Sequence, residues 1–266
     1  PGTGFSEVTG VFKRQNGGSA QGVSAGARQY IGPMLAARHA MGKALPGTCQ
    51  VCAAWPAQPV CEDCIQRFAT PRPRCGVCAV AMPDDRGLCG ACLTRPDAPA
   101  VQQCVAAVEY AYPWDTLIAR FKFRSEPGWA RPFAQLMLNA PHTVALLHTR
   151  PLVVPIPLTA ARLGERGYNQ AWELVKALRG LCRGGQPAWP FDSLATALVR
   201  LGETPDQHSL GREARLRNLR GVFAAHPHHA RQLDGRHVLL VDDVTTTGAT
   251  LHTAAQALQQ AGAARV

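Results

Sequence analysis

The sequence predicts an α/β domain, a parallel sheet flanked by helices, preceded by a small cysteine-rich module. Three observations carry this. Eight of the ten cysteines fall in four CxxC pairs before residue 93. Beyond residue 104, short apolar runs alternate with amphipathic stretches, the rhythm of strands and helices in an α/β domain. The clearest unit comes last, where the apolar run 237–241 meets a polar turn and then a helix with Leu251, Ala254, Ala255 and Leu258 on one face.

Taken in order, residues 1–43 mix Gly, Ser, Gln and Ala with few large apolar groups, too little apolar surface to offset the entropy of ordering. A disordered or artefactual extension is expected there, with the chain a fragment at both ends or its native start at Met34 or Met41. Residues 45–95 are rich in Cys and Pro and need a staple other than an apolar core. From 104 to 266 the α/β domain is expected. Residues 105–112 (VAAVEYAY) read as a strand, 115–123 and 130–139 as helices. Residues 152–154 read as a short buried strand closed by Pro155, because proline cannot donate to a ladder. A helix is expected over 170–181, then a Gly-Gly-Gln-Pro loop, with 183–192 an exposed excursion.

Net charge is +10, which favours anionic partners. The basic residues are 24 Arg and 4 Lys, a skew that reflects composition bias as much as nucleic-acid binding. No stretch approaches the roughly 18 uncharged apolar residues that a membrane helix needs, and no secretory layout opens the chain. A cytoplasmic protein without membrane insertion is expected.

The pairs Cys49/Cys52, Cys61/Cys64, Cys75/Cys78 and Cys89/Cys92 each put two thiolates on one tight turn, so two pairs complete one tetrahedral zinc site. Four pairs predict two structural zinc ions. Disulfides are the alternative, disfavoured in a reducing compartment. Sequential and interleaved sharing of the ions both fit the spacing. Four cysteine ligands leave no open position for zinc chemistry. Cys104 and Cys182 read as small buried apolar side chains.

Residues 238–250 (VLLVDDVTTTGAT) take an apolar strand into two adjacent carboxylates, then a Thr/Gly-rich turn into a helix. Such a turn aims backbone N–H groups and hydroxyls at one point, and the helix N-terminus adds partial positive charge. The result is a monophosphate cradle, with Gly248 admitting close backbone approach. The carboxylates, acceptor-only groups, suit a vicinal diol.

This string is similar to the signature of type I phosphoribosyltransferases for 5-phosphoribosyl-1-pyrophosphate (PRPP). The resemblance implies that Asp242 and Asp243 hold the ribose hydroxyls, and that Thr245, Thr246, Thr247, Gly248 and Thr250 hold the 5′-phosphate. It specifies the ligand rather than the reaction, since some proteins of this fold bind PRPP only to regulate. Residues 153–158 (VVPIPL) lead to a loop carrying Arg162 and Arg166, suited to pyrophosphate through bidentate guanidinium pairing. Residues 204–223, with Arg212, Arg215, Arg217 and Arg220, read as a basic lid or a basic surface helix. His226, His228 and His229 follow in a loop expected to face solvent.

The order of parts resembles the ComF family, the competence protein F group with its GntX relatives. The matching residues run from the CxxC ribbon through Tyr112, Phe121-Lys-Phe123, Pro155-Ile-Pro-Leu and Arg166-Gly-Tyr-Asn-Gln170 to residues 207–218, Phe223 and the PRPP string. The resemblance implies a type I phosphoribosyltransferase-like fold behind a double zinc ribbon, and a role in uptake or handling of single-stranded DNA in natural competence. It also implies Mg²⁺ with PRPP, and single-stranded DNA and a competence DNA-uptake ATPase as partners.

The alternative is an active transferase unrelated to DNA uptake. PRPP would then lose pyrophosphate through an oxocarbenium-like transition state to a nucleobase or amine, with Asp242, Asp243 and Arg166 as catalytic residues. Aromatic residues make up 6% of the chain, with no interleaved basic and aromatic stripe of the kind single-strand binders use.

Overall fold

The computed structural model describes residues 47–95, 98–184, 191–201 and 221–266. The 1–43 extension, the start of the Gly-Gly-Gln-Pro loop beyond Gly184, and the arginine-rich part of 204–220 lie outside the described residues.

The cysteine-rich segment contains little regular structure: helix α1 (Glu62–Phe68), the single turn α2 (Gly90–Leu93), and isolated antiparallel bridges Gly47–Ala57 and Arg74–Ala81. The next helices are α3 (Trp114–Phe123), α4 (Ala130–Asn139) and α5 (Thr143–His148). They precede strand β1 (Leu152–Pro155), helix α6 (Ala160–Arg166) and helix α7 (Gln170–Gly184). Strand β2 (Asp192–Ser193) and the antiparallel pair β3 (Leu198–Arg200) and β4 (Phe223–Ala225) follow. Helix α8 (Ala230–Leu233), strand β5 (Val238–Val241) and helix α9 (Ala249–Gln260) complete the order.

The main sheet is parallel, in the order β2-β1-β5, with Pro155 registered against Val241. β1 is buried throughout, the signature of a parallel strand covered on both faces. On one face Leu152 and Val154 join Ala254 and Leu258 of α9, with Leu198 and Phe223 of the antiparallel β3–β4 pair. Because side chains alternate along a strand, Val153 points the other way, where α7 packs against β1 and β5 and α4 packs against α7. Parallel strands that end in register place the loops after β1 and β5 at the same sheet edge. The Ile156 N–H donates to the Val241 carbonyl at 2.9 Å, fastening the two together.

Several expectations need correction. Residues 105–112 form no strand: their run is irregular, and Tyr110 and Tyr112 are exposed. Their neighbours are different from a sheet edge, since Cys104 N–H bonds the Gly76 carbonyl and Gln102 N–H bonds that of Val266. Intrinsic β-propensity yields when no strand is available to pair with. The stretch 183–192 is not wholly an excursion. α7 runs on through Gly184, Phe191 is buried, and Asp192 and Ser193 pair with Leu152 and Val153. Arg162 and Arg166 lie on a helix rather than a loop, because Thr159 caps it by accepting from Arg162 N–H at 3.3 Å and Gly167, at φ +75°, ends it. Cys182 is buried as expected, but Cys104 is only half-buried. His228 faces solvent, whereas His226 and His229 are half-buried: the His226 ring accepts from His228 N–H, and His229 bonds Thr196.

Candidate functional site

The eight paired cysteines assemble as two quartets, Cys49/Cys52/Cys61/Cys64 and Cys75/Cys78/Cys89/Cys92, each with its sulfurs within 4.8 Å of one another. The sharing is sequential. Sulfur separations of 3.9 Å for Cys49–Cys64, 3.6 Å for Cys52–Cys61 and 3.7 Å for Cys78–Cys89 match the edge of a tetrahedron with metal–sulfur bonds of about 2.3 Å, roughly 3.8 Å. These quartets can hold metal ions, as a double zinc ribbon does.

The quartets repeat one local design. In each, the first CxxC turn ends on an alanine in the left-handed region, Ala53 at φ 60° or Ala79 at φ 57°, whose N–H returns to the first cysteine's carbonyl. The second CxxC opens a helix, with Cys61 at the N-cap of α1 and Cys89 at that of α2. Burial opposes ionisation at Cys49, but the backbone N–H groups of Cys52, Cys61 and Val51 outweigh it and bring the thiol down to about 6. Cys75 is likewise brought down to about 6 against burial by the backbone N–H groups of Cys89, Cys78 and Val77. Burial pushes Cys64 and Cys78 upward.

The second quartet abuts the Thr/Gly-rich turn. A Cβ on Gly248 would sit 3.6 Å from Cys78 Cβ, and Arg95, just after α2, meets His252 of α9 at 3.3 Å. The first quartet is tied to the body through Trp114, whose indole N–H donates to the Phe68 carbonyl at 2.8 Å, and through Gln50, which accepts from Arg120 at 2.9 Å.

β5 ends at Val241, and Asp242 and Asp243 follow at the sheet edge. Asp243 N–H donates to Asp242 Oδ1 at 2.9 Å, turning the chain into Thr245, Thr246, Thr247 and Gly248 before α9 begins. Gly248, the α9 N-cap, sits at φ +71°, a left-handed conformation open to glycine at little cost. Thr247 Oγ1 accepts from Ala249 N–H at 3.4 Å, and Thr250 lies in the first turn. Strand, acidic pair, hydroxyl-rich turn and helix N-terminus thus form one continuous unit, with the α9 backbone N–H groups and dipole directed at the turn.

The acidic pair opens onto a largely apolar cavity of about 190 Å³, lined by residues that include Val105, Val108, Phe121, Leu239 and Asp242. Burial there, and then the neighbouring Asp243 carboxylate, push the Asp242 carboxyl up to about 8, against the opposing pull of Asp243 N–H and Lys122. Lys122 Nζ lies 3.0 Å from Asp243 Oδ1.

Arg166 ends α6 on the same side. Its guanidinium donates to Gln170 Oε1 at 3.0 Å and stacks on the Phe123 ring at 5.0 Å. Tyr168 Oη donates to the Phe121 carbonyl, and Asn169 Nδ2 donates to that of Ile156 at 3.0 Å. Asn169 Oδ1 accepts from Trp172 N–H at the start of α7. Arg162 sits one turn before Arg166 in α6.

Residues 121–123 therefore meet both Arg166 with Tyr168 and Asp243 at the end of β5. In the sequence Lys122 lies in a stretch that matches the family without a role of its own; the signal it offers is an ionisable residue between two aromatics near the end of a helix.

The phosphoribosyl transferase domain family matches residues 201–266. The DNA utilization protein YhgH of Escherichia coli (strain K12) is 31% identical over 233 residues, covering 84% of this chain and 95% of the relative. Competence protein F of Haemophilus influenzae is 30% identical over 207 residues, covering 76% of this chain and 85% of that protein. The chain belongs to the ComF family. Competence protein ComFC of Bacillus subtilis, 30% identical over 147 residues, covers 55% of this ComF-family chain. No solved structure matches it. Among the described residues of this ComF-family protein, no helix is long and apolar enough to cross a membrane.

Proposed function

We propose that this chain binds Mg²⁺-PRPP through its C-terminal domain and serves the uptake or handling of single-stranded DNA in natural competence. The observation that carries the ligand is the unit from Val241 to Thr250, where two carboxylates stand beside a hydroxyl-rich turn and the α9 N-terminus. In this reading Asp242 and Asp243 accept the ribose hydroxyls. Thr245, Thr246, Thr247, Gly248 and Thr250 take the 5′-phosphate, and Arg166 with Arg162 takes the pyrophosphate. Mg²⁺ would partly neutralise the pyrophosphate and orient it; the protein's share is to hold the sugar and leaving group in one alignment.

The chain divides at a ribbon over 45–95 and a phosphoribosyltransferase-like domain over 104–266. Each cysteine quartet takes one zinc ion, which supplies folding energy to a segment with little regular structure. The DNA role is supported by the names of the relatives, competence protein F and DNA utilization protein. A cytoplasmic location, and a competence DNA-uptake ATPase as partner, belong to the same reading.

A second reading, an active transferase on a nucleobase or amine, draws on the same site, where the Asp243 carboxylate held by Lys122 would stabilise charge developing on the ribose. Pyrophosphate release from Mg²⁺-PRPP, assayed with and without nucleobases or single-stranded DNA, separates the two. Release that depends on one acceptor makes the protein a transferase. Binding without release leaves the DNA-handling role, and the absence of both binding and release overturns the PRPP assignment.

A further inference from the structure

Three successive residues in the last turn of α3 each meet a different part of the site. The Phe121 carbonyl accepts from Tyr168 Oη. Lys122 Nζ pairs with Asp243 Oδ1 at 3.0 Å, the two side chains only 17% and 11% exposed. The Phe123 ring lies under the Arg166 guanidinium at 5.0 Å, and Arg166 in turn holds Gln170.

A helix lysine near a surface ordinarily carries its ammonium out to water on a flexible stem. Here the ammonium turns inward to a carboxylate at the end of the central sheet. Stability gives little reason for this, since desolvating both charges offsets most of their attraction. Function gives a better one, because the carboxylate concerned is half of the acidic pair.

We propose that Lys122 is the positioning residue of this site: its ammonium fixes the Asp243 carboxylate, and the α3 turn that carries it couples that carboxylate to Arg166. One helix turn thereby sets the spacing between the groups for the ribose hydroxyls and the group for the pyrophosphate. The inference rests on the PRPP reading above for its ligand; the contacts themselves are made among the chain's own residues. The Asp242 carboxyl reports on them. Burial and Asp243 raise it, while Asp243 N–H and Lys122 lower it; Arg166, at the end of α6, and Tyr168 just beyond it are the further titratable groups nearby.

The test compares the wild-type chain with Lys122→Met and Lys122→Arg. Carboxyl ¹³C NMR of the ligand-free protein follows Asp242, and calorimetry follows Mg²⁺-PRPP binding. Lys122→Met is expected to move the Asp242 titration upward by about one pH unit, since an adjacent cation commonly accounts for that much. It should also weaken Mg²⁺-PRPP about tenfold or more, as expected for an acceptor left without its buried partner. Lys122→Arg, which keeps the charge, should restore most of both. A folded Lys122→Met protein with an unmoved Asp242 titration, or an Arg variant as weak as the Met variant, overturns the proposal. Failure of the wild type to bind Mg²⁺-PRPP would instead overturn the ligand reading, and the Asp242 titration alone would then decide the role of Lys122.

Discussion

Replacing Asp242 by asparagine should strengthen the fold while removing ligand binding. In the folded chain the Asp242 carboxyl is raised from 3.8 to about 8, first by burial and then by Asp243. A raised acid holds its proton more tightly in the folded state than in the unfolded one. Between about pH 4 and pH 8 the folded state therefore binds one proton more, and stability falls with rising pH by up to about 1.4 kcal/mol per unit. At pH 7 this amounts to ~2–4 kcal/mol of lost stability, the upper figure coming from about three pH units at that slope. Asparagine does not titrate, and its Oδ1 still accepts from Asp243 N–H, so the variant should escape the loss. Urea denaturation of both proteins at pH 5 and pH 7.5 reads the difference. The variant's advantage should grow by about 2–3 kcal/mol between those two pH values. An advantage that stays constant, or reverses, would refute the claim that desolvation and Asp243 hold this carboxyl in its protonated form.

Further outcomes follow from other residues. Gly248→Ala places a Cβ at ordinary contact distance from Cys78, so its cost lies in the left-handed backbone: about 1 kcal/mol by thermal denaturation, with weaker PRPP binding as the turn shifts. Trp114→Phe keeps a fully buried ring but leaves the Phe68 carbonyl without its donor. A loss of about 1–2 kcal/mol is expected, together with faster metal release to a chelator from the first quartet. Elemental analysis of protein purified under reducing conditions should find about two zinc ions per chain. Stripping them should lower PRPP affinity as well as stability, because Cys78 backs Gly248; an absence of bound metal would contradict the ribbon.

The parts of the fold legible in sequence are those set by local rules. β5 and α9 announced themselves because a fully apolar run, a turn and a 3.6-residue period occur in succession, and the residues at 254, 255 and 258 are buried. The cysteine pairs were equally plain, but their partnership was not, since spacing is blind to which two turns face each other. The irregular path of residues 105–112 depends on distant groups, the Gly76 and Val266 carbonyls that bond the residues just before it. The same holds for the short strand at Asp192, defined only by its pairing with Leu152. The helix holding Arg166 was within reach, as a Thr cap at 159 and a Gly stop at 167 frame it. The Lys122–Asp243 pair was not, because nothing local brings the last turn of α3 to a strand end more than a hundred residues later.

The most direct test of the central claim is calorimetric titration of the zinc-loaded protein with Mg²⁺-PRPP, beside the double variant Asp242→Asn, Asp243→Asn. One saturable site per chain in the wild type, and none in a double variant that remains folded, is the predicted result. A folded double variant that binds with unchanged affinity, or a wild type that binds nothing, would contradict the assignment of the site at the end of β5.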